Sequence, residues 1–179
     1  GTPMAAAIFS MEVVSVGVMY YAALVPCVIS ALIGHGIALR LHLSENLFQV
    51  SALPAFSIRT AVMISVLAVL CALVSIVFCI LLHESASLFK KHISNPYLRA
   101  LCGGALIVFF TLLAGNQDYN GTGMPVITQA LAGAVIPFAF LAKMIFTAVT
   151  LGSGFKGGEI VPSFFVGATF GCLFGTLTG

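Results

Sequence analysis

Residues Leu151–Gly171 read LGSGFKGGEIVPSFFVGATFG. Glycines, Lys156, Glu159 and Pro162 here interrupt a chain that is otherwise close to pure hydrocarbon. Of its 179 residues 60% are hydrophobic and 7% charged, and the mean hydropathy is +1.16. That is too little charge to cover a water-soluble domain, so the chain reads as a membrane protein with no soluble domain. A transmembrane β-barrel would need segments of about ten residues alternating apolar and polar, and the chain has none. Its 18 glycines recur inside the apolar runs, as in membrane helices that pack closely. The fold class is therefore an all-α, multi-pass membrane protein.

Working outward from this stretch, Pro125–Ala132 and Pro137–Val149 are apolar pieces too short to span alone, and Pro162 to about Leu177 supplies a third. Short hydrophobic segments broken by Gly and Pro point to interrupted helices that meet near the bilayer midplane. Non-helical backbone at that depth survives only where it lines a polar cavity or is buried in protein. The C-terminal third is thus the candidate functional region. The polar loop GNQDYNGTG, residues 115–123, leads into it from a helix expected over Pro96–Leu113. An earlier helix is expected from near Ser57 into the amphipathic HESASLFKKH, residues 83–92. At ~1.5 Å per residue its run of about 35 residues exceeds a bilayer core of ~30 Å, so it must tilt or protrude.

Nearer the start, a helix from about Gly17 to Leu41 carries Pro26 as an expected kink or break, and HLSENLFQVSALP, residues 42–54, connects it onward. Thr2 and Pro3 read as the N-cap and first-turn proline of a short helix ending between Ser10 and Val14, so the chain is expected to start at an element boundary inside a larger protein. Lys90, Lys91 and Arg99 surround one loop and assign it to the cytoplasmic side, whereas Arg40, Glu45 and Arg59 nearly cancel.

The chemistry of the opening stretch follows from its backbone. Pro162 has no N–H to lose at a first helical position, so a helix is expected to begin there. Gly157 and Gly158 let the preceding backbone fold sharply with no side chains in the way. The result is a bare helix N-terminus whose unpaired amides, with Glu159, Ile160 and the first turn as donors, form an anion site. The alternative is a glycine-rich turn that only lets GATFG pack tightly on a neighbouring helix. Glu159 favours the anion site, because a carboxylate is stabilised beside a helix N-terminus and an ionisable group in a membrane is by default functional. It can occupy the site when ionised and leave it when protonated, which is the minimum needed to couple an anion to a proton. Lys156 and Lys143 read as counter-charges to Glu159 or as groups that concentrate anions, and Lys156 equally as a side chain snorkelling to the interface. Glu12 reads as a water-facing or paired carboxylate.

Other classes find no support in the sequence. A net charge of +2 with no basic stripe argues against nucleic acid. Cys27, Cys71, Cys79, Cys102 and Cys172 lack C-x-x-C spacing and read as small buried hydrophobes. His35, His42, His83 and His92 lie near helix ends without ligand spacing, so no metal, cofactor or enzymatic chemistry is expected. Phe164, Phe165 and Phe170 read as lipid or core contacts, and Tyr119 as structural. The first apolar run contains Glu12 and lacks a basic leader, so no cleavable signal peptide is expected.

GGEIVPSFFVGATFG, residues 157–171, resembles the G-x-F-x-P segment of CLC chloride channels and anion/proton antiporters: a Gly-Gly pair, two or three residues, Pro, then a small-residue helix with G-A/T-x-x-G. GTPMAAAIFSMEV, residues 1–13, is similar to the family's N-A-P-hydrophobic-A/G-x-x-F-x-x-E helix, and the order and separation of the two motifs fit. The resemblance covers nearly all 179 residues but only about the middle of the family's membrane domain, from the end of its first inverted half into the start of its second. It implies tilted and broken helices of a CLC-type inverted-repeat fold, incomplete over residues 1–179, and a homodimer formed through the first two helices. Carried over by position, the family's anion-coordinating amides fall on Glu159 and Ile160, flanked by Gly157, Gly158 and Val161. The family's internal proton-transfer glutamate falls on Val13, immediately after Glu12, a departure shared by the family's channels and its fluoride/proton antiporter branch. GSGFKGGE, residues 152–159, looks like that fluoride branch, in which a glutamate stands at the place of Glu159; the threonine often found two residues later is Val161 here.

The resemblance therefore implies transmembrane transport of fluoride or chloride coupled to protons, in a prokaryotic plasma membrane, with Glu159 and Glu12 as proton or gating candidates. A passive voltage-gated-type chloride channel and an inactive structural or dimerisation fragment are the alternatives. The family's external gating glutamate, first anion loop and coordinating tyrosine have no counterpart in these residues, so the 179 residues alone are not expected to transport.

Overall fold

The computed structural model describes residues 2–12, 20–43, 57–134 and 136–178, and among these all regular structure is helical. The chain divides into two compact units, Gly1–Leu47 and Phe48–Gly179. The first holds α1 (Pro3–Glu12) and α2 (Leu24–Arg40), which is entered through a 3-10 turn at Tyr21–Ala23. α1 packs on α2, and Ala7 and Met11, four residues apart on one helix face, are buried. The kink or break expected at Pro26 does not occur. Pro26 stands in the first turn of α2, where a backbone N–H would have no intrahelical acceptor, and the helix runs unbroken from there to Arg40. None of α2's residues is buried, so it offers Ile29, Ile33 and Ile37 to lipid or to another protein surface. Val13, the expected helix start at Gly17, and most of the connection with Glu45 lie outside the described residues.

The second unit holds α3 (Ile58–His92), α4 (Pro96–Ala114), α5 (Met124–Leu131), α6 (Ala139–Gly152) and α7 (Ile160–Thr178). α3 has the expected 35 residues. The Ser57 side chain caps it by accepting the Thr60 N–H at 3.1 Å, and Lys90, Lys91 and His92 meet the negative end of its dipole. α4 starts after Asn95, whose Oδ1 accepts the Tyr97 N–H at 3.0 Å, and ends at Gly115 with φ 68°. α6 packs on α3, α4 and α7, while α5 packs on α7. Val126, Ile127, Ala139 and Phe165 make one buried cluster, and Phe78, Met144 and Val166 a second.

Among the described residues four segments are long and apolar enough to cross a membrane: Tyr21–Arg40, Ile58–His92, Pro96–Ala114 and Ile160–Thr178. α5 and α6, with 8 and 14 residues, reach only about 12 and 21 Å and are the interrupted pieces. α7 departs from the expectation of a third short piece, because it has 19 residues and begins at Ile160, two positions before Pro162. α6 likewise begins at Ala139 and not at Pro137, since Phe138 between them takes the left-handed φ of 63° that a helix does not continue through.

Candidate functional site

The segment between α6 and α7 is seated residue by residue on α3 and α4. A Cβ on Gly152 would overlap Ser85 of α3, whose hydroxyl donates to the Ala148 carbonyl. Ser153, fully buried, fills the space that Gly103 of α4 leaves open. Gly154 has φ 99°, which favours glycine, and the Arg99 guanidinium lies alongside it. The Phe155 ring rests near Gly103 and Gly104. From Lys156 to Glu159 the chain is exposed, and the N–H groups of these four residues find no acceptor among the described residues.

α7 then starts bare. The Glu159 carbonyl accepts both the Ser163 N–H at 3.0 Å and the Ser163 hydroxyl at 2.7 Å, which makes the turn helical from Ile160 and explains why the helix precedes Pro162. The N–H groups of Ile160 and Val161 have no acceptor among the described residues, and Pro162 has none to satisfy.

A cavity of about 780 Å³ opens against this start. Gly157, Gly158, Ile160, Val161 and Pro162 line one side. Residues Tyr119 to Thr122 of the loop before α5 line another, and Lys143, Phe146, Thr147, Thr150 and Leu151 of α6 a third. Lys143 is only 2% exposed. Its Nζ donates to the carbonyls of Tyr119 at 3.0 Å and Gly121 at 2.7 Å, and stands 5.1 Å from the centre of the Phe165 ring. Among the described residues those two carbonyls are its only hydrogen-bond acceptors, so its positive charge is solvated by dipoles without a carboxylate. The Tyr119 ring packs on Phe146 and edge-on to Phe165, with centroids 5.6 and 6.4 Å apart. Burial, with Asp118 adding to it, pushes the Tyr119 phenol above its ordinary pKa, so it remains a neutral donor at physiological pH.

Of the residues singled out in the sequence, Gly157, Gly158, Ile160, Val161 and Lys143 share this cavity. Glu159 does not line it: the residue is exposed at the position just before α7. Lys156 is exposed and also outside the lining. Glu12, exposed at the end of α1, belongs to the other unit. Sequence reasoning missed the loop residues Asn120 to Thr122 and, beside Lys143, the α6 residues Thr147 and Thr150. Lys143, Thr147 and Thr150 recur at i, i+4 and i+7 in an apolar run, a helical-face signal that could have found them.

A helical membrane fold with interrupted helices around a cavity, walled by bare amides and a buried ammonium group, defines the class of protein. Residues 1–179 match the model of the voltage gated chloride channel family, and the chain belongs to that family. It is 32% identical over 177 residues to a chloride/fluoride channel protein of Pseudomonas syringae pv. tomato, with 96% of this chain and 39% of that protein covered. It is 27% identical over 192 residues to the voltage-gated ClC-type chloride channel ClcB of Citrobacter koseri, covering 99% of this chain and 43% of that one. The crystal structure of a CLC-type fluoride/proton antiporter superposes with a TM-score of 0.86 at 25% identity, over 97% of this chain and 45% of the other. The chain thus spans less than half the length of these relatives. The CLC fold expected from the two motifs is the one observed.

Proposed function

We propose that this chain is the part of a CLC-type anion/proton antiporter that holds fluoride or chloride against the start of α7. The observation that carries the reading is one cavity shared by the unpaired amides of Ile160 and Val161 and the buried Lys143 ammonium. Gly157 and Gly158 keep side chains out of the approach, and Glu159 supplies a further amide. Fixed N–H dipoles at a helix start favour negative charge, and a cation held in an apolar wall is far less screened than one in water. A dehydrated halide can be exchanged there for water at little reorganisation. Fluoride is favoured over chloride by the wording GSGFKGGE and by two relatives whose names include fluoride.

Glu159, exposed beside the helix start, is the proton-coupling candidate: its carboxylate can swing into the amides when ionised and withdraw when protonated. Glu12 is the second candidate. The apolar surface of α2 fits a homodimer through the first two helices, and bacterial relatives fit a prokaryotic plasma membrane. Val13, at the place of the internal glutamate of chloride/proton exchangers, is as compatible with passive conduction as with fluoride/proton exchange, and passive conduction is the second reading.

The test is the complete protein in liposomes, with the reversal potential followed under a pH gradient. An antiporter's potential moves with pH, and Glu159→Gln should abolish that movement or alter the fluoride-to-chloride preference. A wild-type potential indifferent to pH selects the passive reading, and a variant with unchanged flux and coupling removes Glu159 from the mechanism.

A further inference from the structure

Arg99 lies in the first turn of α4, where its own N–H donates to the Asn95 carbonyl at 3.0 Å. Its side chain reaches back to the segment joining α6 to α7. There the guanidinium lies against Gly154, with Nη2 3.4 Å and Nε 3.5 Å from where a Cβ would stand. The Nε is buried and has no hydrogen-bond partner, and no guanidinium N–H finds an acceptor among the described residues. A buried, unpaired donor on a cation is among the most expensive groups a fold can keep, and such a donor is normally met by an ordered water, an ion or a ligand. The planar N–H fork of arginine suits an anion better than any other common partner.

Lys90 and Lys91 end the preceding helix, and Lys156 is exposed two residues beyond Gly154. From Gly154 the backbone needs only three residues, at most about 10 Å of chain, to reach Gly157 at the wall of the cavity. An anion held by Arg99 therefore stands beside the same segment whose far end presents the α7 amides.

We propose that the Arg99 guanidinium is a docking site for the small inorganic anion on the Lys90/Lys91 side of the cavity, from which the anion passes along the 154–158 segment to the start of α7. The proposal rests on the reading that the cavity takes an anion. Docking and support of the segment are separable, because docking acts on one side of the membrane and support acts on transport from both.

The experiment uses the complete protein in oriented vesicles, with fluoride and then chloride varied on one face at a time. For Arg99→Gln the half-saturating concentration on the Lys90/Lys91 side should rise about tenfold, the loss of one charge-assisted hydrogen bond. The opposite side should be unaffected. Arg99→Lys, which keeps the charge without the fork, should give a smaller rise on the same side, and it decides the matter alone if the Gln variant does not fold. Unchanged half-saturation in a folded variant overturns the proposal. So does an equal rise on both sides, or a fall in maximal rate alone, since either marks Arg99 as a support of the segment. Should the wild-type protein carry neither anion, the proposed function falls first. Calorimetric titration with sodium fluoride and sodium chloride then judges the docking site: weaker binding by Arg99→Lys than by wild type sustains it, and equal or absent binding overturns it.

Discussion

At the start of α3 the Ser57 side chain takes the Thr60 N–H, and at the start of α4 Asn95 takes that of Tyr97. Among the described residues the starts of α5, α6 and α7 have no such side chain. α3 and α4 are also the continuous pair, 35 and 19 residues long, whereas α5 and α6 are cut to 8 and 14. A capping side chain satisfies a helix start from within the chain and thereby removes it from use by a ligand. Interruption without caps does the reverse, leaving amide dipoles where loop and helix meet. At α7 those dipoles face a cavity with Lys143 in its wall. The continuous pair serves as a seat: Ser85, Arg99 and Gly103 receive Gly152, Gly154 and Ser153 in turn. One region spends its polar groups on its own backbone, and the other holds them in reserve.

The largest expected effect comes from breaking the seat. Gly103→Val would drive a branched side chain into the buried Ser153, which has no free volume around it. Overpacking of this kind costs upward of about 3 kcal/mol where backbone must move. The complete protein should lose thermal stability in detergent and nearly all anion flux, and adding Ser153→Gly should recover part of both. Failure of that rescue would show that the two residues are not coupled through shared space.

Next in size is Lys143→Met. The change keeps the apolar stem but strips the Tyr119 and Gly121 carbonyls of their donor, a loss of about 2 kcal/mol. It also removes the cation from the cavity wall, so fluoride or chloride binding by calorimetry should weaken more than tenfold. If stability falls while affinity holds, Lys143 is a tether for the loop and the anion is held by amides alone.

Much of the continuous region is legible in the sequence because its signals are local. Ser57, the Asn95–Pro96 pair and Gly115 mark helix ends within a residue or so of where they occur, and the apolar run between them sets the length. Prolines are less exact markers. Pro26, Pro137 and Pro162 each mark the neighbourhood of a helix start, yet a missing N–H is tolerated anywhere in the first turn, so α7 begins two residues before Pro162, while the left-handed Phe138 delays α6 to two residues after Pro137. At the site, the Gly157–Gly158 pair and Lys143 are visible as residue types. Their meeting is not, because Lys143 is joined to carbonyls more than twenty positions away, through backbone atoms that carry no sequence signature. Arg99 is visible only as a charge that orients a loop; its unpaired Nε exists only once α4 and the α6–α7 segment are packed.

The smallest effect sharpens the comparison from the other side. Ser57→Ala removes the cap of α3 and leaves the Thr60 N–H to find another partner. Loss of an N-cap costs about 1 kcal/mol, and the neighbouring Thr60 hydroxyl, 2.9 Å from that of Ser57, loses a partner too. The complete protein should therefore unfold slightly more readily while its fluoride and chloride affinities stay as in wild type. Those affinities are the sharper readout. A capped start and a bare start differ in what they leave available, so uncapping α3 should create exposed amides without creating an anion site: among the described residues the cavity beside the start of α3 has an apolar wall with no buried cation to go with them. If Ser57→Ala did raise anion binding, bare amides alone would suffice, and the start of α7 would not need Lys143 beside it to hold an anion.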